Sequence, residues 1–426
     1  MNGKNKKIIS LLLLAVMVVT LVSTMSSCLL IGTGESYLTE EEVRQMMDNT
    51  LSGNVTVEGG DSYNVTINGV EQNNAAIGKS VLSAVSIRAT FKVAAYSTFY
   101  PQVSTSTKEK TGAGSGIIYK LDKNRGNAYI ITNYHVVHNS QAVTENGRSS
   151  SITAYLYGQE SDAYAIPATY VGGSMEYDLA VLKVSGSRVL AESNAVAVSL
   201  ADSDAVSVLD QAIAIGNPEG LGISATLGYI NVDSEYIDLE GADGYTTIRI
   251  RVMRMDTAVN GGNSGGGLFN NRGELIGIVN AKLIDSENMG YAIPSNFVKY
   301  VVENILFYCD NTELENVYRC YLGITVVPAE MYTVYDTETG KVLRRETVGV
   351  SEINSGSLAD GLLKVGDIIN SITIDGTTYN VNRMYMVVDS MINARVGSTV
   401  TLNVTRGGDT FDVTVEIGQS AMQKIN

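Results

Sequence analysis

The sequence contains few of the residues that build metal, cofactor or nucleic-acid sites. It has three cysteines, two histidines, five prolines and no tryptophan. Cys309 and Cys320 have no histidine nearby, which argues against a zinc ligand set, and we expect no metal and no cofactor. Only 30 basic residues stand against 45 acidic ones, so the net charge is −15 and no basic stripe is evident. Nucleic acid is therefore not an expected partner.

The composition otherwise indicates a globular chain of more than one domain. Hydrophobic residues make up 44% of the sequence and charged residues 18%, without heptads, tandem repeats or low-complexity tracts. At 426 residues the chain is too long for one ordinary core. We therefore expect two or three domains.

Between residues 76 and 295 the sequence consists of short stretches rich in valine, isoleucine, threonine and tyrosine. Examples are residues 85–87, 116–119, 128–131, 181–184 and 275–279. Short strands without amphipathic helices between them predict β-barrels or a β-sandwich. Ser295 is the expected cap of a helix that leads to a last domain. The apolar residues of this helix recur at helical spacing, at Phe297, Val298, Val301, Val302 and Ile305.

The N-terminus has the pattern of an export signal. Three lysines precede a nearly unbroken apolar stretch at residues 8–22, and small residues then precede Cys28. This stretch is short for a helix that crosses a bilayer about 30 Å thick. It resembles bacterial lipoprotein signals, in which the cysteine carries the lipid, although Met25 stands where leucine is usual. An uncleaved anchor and a standard signal are the alternatives, and each places the protein outside the cytoplasm, in the cell envelope.

Residues 29–75 predict a stem between this segment and the rest of the chain. Residues 39–42 fit a capping box for a short helix that continues to Asp48. Residues 54–57 and 63–67 alternate as in a small hairpin.

Cys309 and Cys320 leave two possibilities open. In an oxidising compartment they can form a disulfide, provided that their geometry permits it. Otherwise both are buried thiols.

A serine between glycines, at residues 262–266, is the most informative feature of the sequence. Glycines let the main chain turn sharply around Gly262, Asn263 and Ser264, and the N–H groups of Gly262 and Ser264 can then form an oxyanion hole. His135 and Asp178 lie upstream, so the chain order is His, Asp, Ser, as in chymotrypsin-type triads. Their spacing fits a triad divided over two barrels.

Each of these residue types suits acyl transfer. Ser264 becomes a good nucleophile when a base takes its proton, and His135 can do so near neutral pH. Asp178 would hold the imidazole tautomer and stabilise the imidazolium. The alternatives are a structural turn serine, an aspartate that only caps a strand, and His138 as the base. A zinc site made by His135 and His138 lacks a third ligand.

Six segments together carry a resemblance to a known family. They are, in chain order, residues 114–118, 132–137, 178–182, 214–218, 262–266 and 290–294. In this order and spacing they resemble the HtrA/Deg family of trypsin-like serine proteases with PDZ domains, over about residues 76–418. By this resemblance the catalytic residues fall on His135, Asp178 and Ser264. It also implies a homotrimer.

The resemblance implies a mainly β fold, in which a chymotrypsin-like double β-barrel protease domain is followed by an α+β PDZ domain. The predicted segments are a signal at residues 1–28, the stem at 29–75, the protease domain at 76–295, a helical connector at 296–316, the PDZ domain at 317–418 and a tail at 419–426.

Two positions depart from the family pattern. Proline is usual where Gly261 stands, and again where Gly267 follows the Ser-Gly-Gly. Because proline fixes φ and glycine frees it, the loop with the oxyanion donors is predicted to be looser. Activity would then depend more on a substrate or partner that orders the loop.

The pocket for the side chain before the scissile bond is predicted to be small and apolar. Trypsin-like enzymes selective for basic residues have an aspartate six positions before the serine, where this chain has alanine. Valine, alanine, isoleucine or leucine would therefore be preferred. The predicted lining residues are Ala258, Val259, Val279, Asn280 and Ala281.

The last domain is predicted to bind peptide C-termini. By the resemblance, the PDZ loop whose N–H groups receive a terminal carboxylate falls on Tyr321, Leu322, Gly323 and Ile324. A peptide would add as a strand between the strand after this loop and a later helix, unless the helix residues only fill a core. The apolar face of that helix comprises Met384, Val387, Val388 and Met391.

The favoured interpretation is an exported, lipid-anchored, ATP-independent serine endoprotease. It would cleave unfolded or damaged proteins and hold their C-termini in the PDZ domain. Two alternatives stay open: a chaperone or adaptor whose triad is seldom aligned, and a regulatory protease with one defined membrane substrate.

Overall fold

The computed structural model describes residues 55–59, 63–67, 74–96, 104–280, 289–312 and 316–425. Cys28, the predicted signal and the predicted helix ending at Asp48 lie outside these residues. The chain divides into two units, residues 1–71 and 72–426. In the first unit the two predicted strands, β1 (Val55–Gly59) and β2 (Tyr63–Ile67), pair as an antiparallel hairpin.

The second unit begins with helix α1 (Asn74–Val81), which precedes a first closed barrel. The barrel strands are β3 (Ala84–Tyr96), β4 (Ser104–Asp122), β5 (Asn127–Thr132), β6 (Ser151–Leu156), β7 (Ile166–Ser174) and β8 (Leu179–Val184). They close in the order β3-β4-β5-β8-β7-β6. Helices α2 (Tyr134–Val137) and α3 (Arg188–Glu192) follow β5 and β8. Side chains alternate along β3, where Ile87 and Ala89 are buried and Arg88 is exposed, as expected for a strand with one face on a core.

A second closed barrel follows. Its strands are β9 (Gln211–Gly216), β10 (Ser224–Glu240), β11 (Thr247–Met255), β12 (Gly267–Phe269), β13 (Leu275–Asn280) and β14 (Gly290–Pro294). They close in the order β10-β11-β14-β13-β12-β9. Met253, Leu268 and Ile276 fill this barrel, whereas Ile215 and Phe269 belong to a shared core with the first barrel.

Helix α4 (Ser295–Thr312) connects the barrels to the last domain. Val298, Val301, Val302 and Ile305 are fully buried and form the apolar face predicted from their spacing. The helix begins at Ser295, as expected, but the Ser295 hydroxyl donates to the carbonyl of Ala201 at 2.8 Å. The serine thus ties the helix to the barrels.

The last domain combines a sheet with short helices. Its strands are β15 (Val317–Cys320), β16 (Ile324–Asp336), β17 (Lys341–Ile353), β18 (Ile368–Ile374), β19 (Thr377–Asn380), β20 (Thr399–Arg406), β21 (Asp409–Glu416) and β22 (Met422–Ile425). The main sheet has the order β16-β17-β18-β20-β21, with β19 paired to β18. Helix α5 (Tyr385–Ser390) follows β19. Where the sequence predicts a tail, β22 pairs with β15, because Val317 and Ile425 both bury apolar side chains.

The predicted fold class is confirmed: the chain is mainly β, with two barrels followed by an α+β domain. No disulfide joins Cys309 to Cys320. Cys309 packs against the core around α4, whereas Cys320 lies in the core of the last domain, where burial raises the pKa of its thiol to about 12. Among the helices of the described residues, none combines the length and the apolar composition needed to cross a bilayer.

Charged side chains join the second barrel to the last domain. Arg251 of β11 donates to Asp389 of α5 at 2.6 Å, and both side chains are less than a tenth exposed. Arg383 pairs with Asp233 at 2.6 Å. The two domains therefore meet through one buried and one partly buried ion pair, which need good geometry because charges lose hydration there.

Candidate active site

The ends of two paired strands bring His135 and Asp178 together. Thr132 ends β5 opposite Ala180 of β8, so the residues just beyond β5 lie beside the residue that precedes β8. Asp178 Oδ2 lies 2.7 Å from His135 Nδ1, and Asp178 Oδ1 accepts the backbone N–H of His135 at 3.0 Å. The imidazole is thus held at two points by one carboxylate.

Asp178 is buried, and donors surround it. Its side chain is 2% exposed, and its φ of 49° lies in the left-handed region, which aspartate tolerates better than most residues. Asn133 Nδ2 donates to the Asp178 carbonyl at 2.8 Å. Asn280 Nδ2 donates to Asp178 Oδ2 at 2.9 Å, so the oxygen that holds His135 has a second donor. Such charge-assisted bonds fix the carboxylate in place.

Asn280 has a contact that the sequence pattern did not reveal. The pattern assigns Asn280 to the specificity pocket, whereas its side chain reaches from the end of β13 to the carboxylate of the first barrel. The only sequence signal is a polar residue that ends a fully apolar strand.

The loop of Ser264 is tied to the first barrel through Ser115 of β4. The Ser115 N–H donates to the Ser264 carbonyl at 2.9 Å, and the Ser115 hydroxyl donates to the Gly262 carbonyl at 2.7 Å. Thr132 Oγ1 in turn donates to the Ser115 carbonyl at 2.7 Å. A Cβ on Gly265 would lie 2.4 Å from Thr132 Oγ1, so only glycine fits there. The serine loop thus packs directly against the segment that leads to His135.

Residues 260–263 form a tight turn before Ser264. The Asn263 N–H donates to the Asn260 carbonyl at 3.0 Å, and Gly262 has a φ of 95° at the third position, as in a type II turn. The N–H of Asn263 is therefore used within the turn. Among the described residues, no acceptor receives the N–H groups of Gly262 and Ser264. Of the three residues assigned to the oxyanion hole, these two keep available donors.

His138 lies beside this site but has other contacts. Its ring stacks on Tyr134 with centroids 5.1 Å apart, and a Cβ on Gly147 would lie 2.6 Å from His138 Nε2. The carboxylate of Asp178 is bonded to His135. Burial lowers the pKa of His138 below 6.5, although the nearby carbonyls of Ala242 and Asn146 oppose this shift.

This environment gives a direct titration test. Because the chain has two histidines, its NMR spectrum should contain two sets of imidazole signals. We expect the His138 set to titrate with a midpoint below 6.5, since burial disfavours the charged ring. The variant His138→Gln assigns the signal by removing it. A midpoint at or above 6.5 would contradict the buried position of this ring.

Four of the five predicted pocket residues belong to the described part of the chain. Ala258 is exposed, while Val259 packs with the core of the second barrel, to which the fully buried Val279 belongs. A Cβ on Gly290 would lie 2.9 Å from Val259 Cγ2 and 3.0 Å from the methyl of Met255. Apolar side chains thus lie against Val259, five residues before Ser264. Ala281 lies outside the described residues.

The predicted carboxylate-binding loop connects β15 to β16. Gly323 has a φ of 77°, and a Cβ there would lie 2.1 Å from Ser357 Cβ, so the position requires glycine. The Leu322 carbonyl accepts from Ala359 N, and the Gly323 carbonyl accepts from Asn354 N. Among the described residues, no acceptor receives the N–H groups of Leu322 and Gly323. Adjacent N–H donors of this kind make an anion-binding concavity.

The predicted helix face lies partly in the core. Val387 and Met391 are buried among the apolar residues of the last domain, and Met384 packs against them. Val388 is 39% exposed. Ile324 and Val326 of β16 also pack partly buried against this core. Core filling therefore accounts for Val387 and Met391.

Comparisons with known proteins identify two domain families in the chain. The sequence model of the Trypsin-like peptidase domain matches residues 114–278, and that of the PDZ domain matches residues 320–417. Serine protease Do-like HtrA of Bacillus subtilis (strain 168) is 32% identical over 338 residues, covering 76% of this chain and 68% of its own. Serine protease Do-like HtrA of Lactococcus lactis subsp. lactis (strain IL1403) is 30% identical over 330 residues, covering 74% and 73%.

Two further similarities concern proteins with other names. Periplasmic serine endoprotease DegP of Escherichia coli (strain K12) is 31% identical over 322 residues, which cover 74% of this chain and 58% of DegP. Among solved structures, HtrA-type protease AlgW with decapeptide is 25% identical with a TM-score of 0.48, covering 82% of this chain and 98% of its own.

Proposed function

Because the chain belongs to the HtrA family of serine proteases, with a trypsin-like peptidase domain and one PDZ domain, it is a serine endopeptidase, and we propose that His135, Asp178 and Ser264 form its catalytic triad. The observation that carries this proposal is the 2.7 Å contact between His135 Nδ1 and Asp178 Oδ2, beside a serine loop bonded to the same barrel. In such triads the aspartate must bond the imidazole at Nδ1 to hold it in the correct tautomer and orientation.

The hydrogen bonds between Asp178 and His135 fix the orientation of the base in the proposed reaction. Since Asp178 accepts the Nδ1–H of His135, the Nε2 of the neutral ring is left as a base. Ser264 Oγ attacks the peptide carbonyl and passes its proton to Nε2, and the N–H groups of Gly262 and Ser264 receive the oxyanion. His135 then returns the proton to the leaving amine, and water hydrolyses the acyl-enzyme by the same route.

A fluorophosphonate probe tests the triad, because it modifies a serine only when that serine is already activated. We expect the wild-type chain to be labelled and to cleave casein, and Ser264→Ala to do neither while still binding casein. If the wild-type chain is neither labelled nor able to cleave, the adaptor alternative replaces the protease.

We further propose that the enzyme acts outside the cytoplasm, anchored through Cys28 and spaced from the membrane by residues 29–75. The export-signal pattern supports this proposal, as does the description of the similar DegP as periplasmic. Mass spectrometry of the N-terminal peptide would detect a lipid on Cys28. An unmodified N-terminus would leave one of the other two signal types.

The proposed substrates are unfolded polypeptides whose C-termini bind the loop of residues 321–324. The N–H groups of Leu322 and Gly323 support this assignment, because a carboxylate needs such donors. We propose a homotrimer as the working assembly, by similarity to the family. Light scattering on the chain without its stem measures the mass, and a monomer would rule the trimer out.

The proposed pocket predicts the residue before the scissile bond. In a peptide series we expect kcat/KM to be at least about tenfold higher for valine, alanine, isoleucine or leucine than for lysine or arginine, because an apolar pocket buries a cation without a partner. Ala258→Asp should add cleavage after arginine by supplying that partner. Preference for arginine in the wild-type chain would overturn the pocket assignment.

Gly261 gives a prediction about the oxyanion turn. It occupies the second position of the type II turn, where proline is favoured, and a Cβ there meets no atom within 4 Å. We expect Gly261→Pro to raise kcat/KM roughly twofold to fivefold, because it removes alternative loop conformations. The matched control is Gly262→Ala, which should lower activity because its φ of 95° strains any side chain. Equal turnover in Gly261→Pro and wild type would contradict a loose loop.

A further inference from the structure

Strand β16 continues well beyond the carboxylate-binding loop. It spans 13 residues and, among the described strands, pairs with β17 on one side only. Its last part forms a hairpin with β17, in which Met331 lies opposite Glu346 and Tyr335 opposite Val342. We call residues 330–336 the distal edge. An unpaired strand edge presents N–H and C=O groups that another chain can bond.

The hydrogen bonds of β17 determine which residues of β16 face outward. The Val350 N–H donates to the carbonyl of residue 367, and its carbonyl accepts the N–H of residue 366. The Glu346 N–H donates to the Asn382 carbonyl. The main-chain bonding groups of Val350 and Glu346 therefore point away from β16. In an antiparallel pair, the N–H and C=O groups of the residues opposite Val350 and Glu346 must then point away from β17. Val326 and Met331 are those residues. By alternation, Thr333 and Tyr335 also direct their N–H and C=O groups outward.

Pro328 separates the distal edge from the part beside the carboxylate loop. It lies two residues after Val326, so it faces outward too, but it has no N–H to donate. A bulge between Pro328 and Glu330 follows directly. The outer edge of β16 therefore consists of two bonding segments, one at Ile324 and Val326 and one at residues 330–336.

Apolar side chains cover both faces of the distal edge. Met331 is 64% and Tyr335 65% exposed, and Tyr332 and Val334 are also exposed, as is Val342 across the hairpin. In natural proteins, lysines or inward-pointing charges usually prevent an exposed edge strand from pairing with another chain. Residues 331–335 contain no charge. The only charges of this segment are Glu330 and Asp336, at its ends.

These end charges argue against a second copy of the chain as the occupant. Symmetric antiparallel pairing about Thr333 would put Glu330 of one copy opposite Asp336 of the other, twice. Hydrogen bonds from Thr339 and the Glu338 N–H lower the pKa of Asp336, so it stays charged at neutral pH. Like charges directly opposite each other destabilise strand pairs. Both carboxylates instead suit a partner with basic residues, because Lys341, the residue opposite Asp336, is bonded to Asp210.

We propose that the distal edge is a second peptide-binding site, which takes an extended apolar segment flanked by lysine or arginine as an added strand. The site rests on the proposed function, since it supplies a further contact for an unfolded substrate. It is continuous with the carboxylate loop along one strand, so one substrate chain can occupy both segments in turn. Strand addition of this kind draws affinity from main-chain bonds and selectivity from side chains on alternate faces.

The test uses the full chain with Ser264→Ala, so that the peptide is not cleaved. The probe is a fluorescent, N-acetylated peptide amide with alternating valine and tyrosine between two terminal lysines, which has no carboxylate for the loop. Anisotropy titrations compare Thr333→Pro, which removes one outward N–H, with the matched Thr333→Val. We expect Thr333→Pro to weaken binding at least about fivefold and Thr333→Val to leave it unchanged. A peptide with glutamates in place of both lysines should bind more weakly.

Tyr335→Lys is a second variant, because it alters an exposed side chain and leaves the backbone unchanged. It should also weaken binding of the lysine-flanked peptide. Equal affinity in Thr333→Pro, Thr333→Val and Tyr335→Lys would overturn the proposal. The proposal would also be overturned if Thr333→Pro lost self-association, measured by light scattering, but bound the peptide as tightly as the chain without this substitution. Fluorophosphonate labelling of Thr333→Pro with Ser264 intact tests the triad separately. Labelling at the wild-type level would show that a loss of peptide binding does not come from a failure of the proposed protease function.

Discussion

Replacing Asp178 with asparagine should lower kcat about 10⁴-fold, with little change in the fold. The reason lies in the donors around the carboxylate. Oδ1 accepts the His135 backbone N–H, while Oδ2 faces both His135 Nδ1 and Asn280 Nδ2. If the asparagine places its oxygen at the Oδ1 position, where it accepts the His135 backbone N–H, its NH₂ group lies at the Oδ2 position. His135 must then accept at Nδ1, so that its proton moves to Nε2 and it can no longer take the proton of Ser264.

Asn280→Ala is the matched control for Asp178→Asn. It removes one donor from Oδ2 but leaves the negative charge and the imidazole tautomer, so we expect a loss of kcat of roughly tenfold to a hundredfold. Both variants are measured on one peptide substrate, with circular dichroism to check folding. A kcat of Asp178→Asn within about tenfold of wild type would show that Asp178 does not orient His135. KM should change little in either variant, because Asp178 bonds His135 and Asn280 bonds Asp178, so that both act through the imidazole.

Local patterns in the sequence predict the strands and the connecting helix well. Val298, Val301, Val302 and Ile305 recur at helical spacing because one helix face must be buried, and the structure buries all four. Glycines near Ser264 were informative for the same local reason. Gly265 is the clearest case, since its φ of 83° lies in the left-handed region that favours glycine. Such constraints act on a few neighbouring residues and therefore leave a readable pattern.

Contacts between distant segments leave no such pattern. Asn280 and Asp178 belong to different barrels, and the polar residue that ends β13 does not indicate which residue it bonds. The predicted tail forms β22 only because its register with β15, set by the tertiary fold, brings Ile425 opposite Val317. The length of the edge of β16 likewise depends on which strands lie beside it. The sequence thus predicts local structure better than the bonding partners of residues that lie far apart in the chain.

The ion pair between Arg251 and Asp389 is another contact of this kind, and it should carry a large effect on stability. Arg251 Nε and Nη2 donate to one oxygen of Asp389, at 3.0 and 2.6 Å, and the guanidinium carbon lies 3.9 Å from the centre of the Tyr385 ring. Both charged side chains are less than a tenth exposed. Removing one partner of a buried pair leaves the other charge without compensation, which costs about 3–5 kcal/mol.

We therefore expect Asp389→Ala to lower the free energy of unfolding by about 3–5 kcal/mol, measured by urea denaturation in a Ser264→Ala background that prevents self-cleavage. Burial raises the pKa of Asp389 to about 6, so measurement at pH 8 keeps the carboxylate charged. The matched control is the double variant Arg251→Met with Asp389→Leu, which removes both charges and should recover most of the loss. If the double variant is as unstable as Asp389→Ala, the unpaired charge of Arg251 is not the cause. The junction of the second barrel and the last domain would then depend on packing around Tyr385, and the coupling energy from the full cycle of Arg251→Met and Asp389→Leu would be near zero.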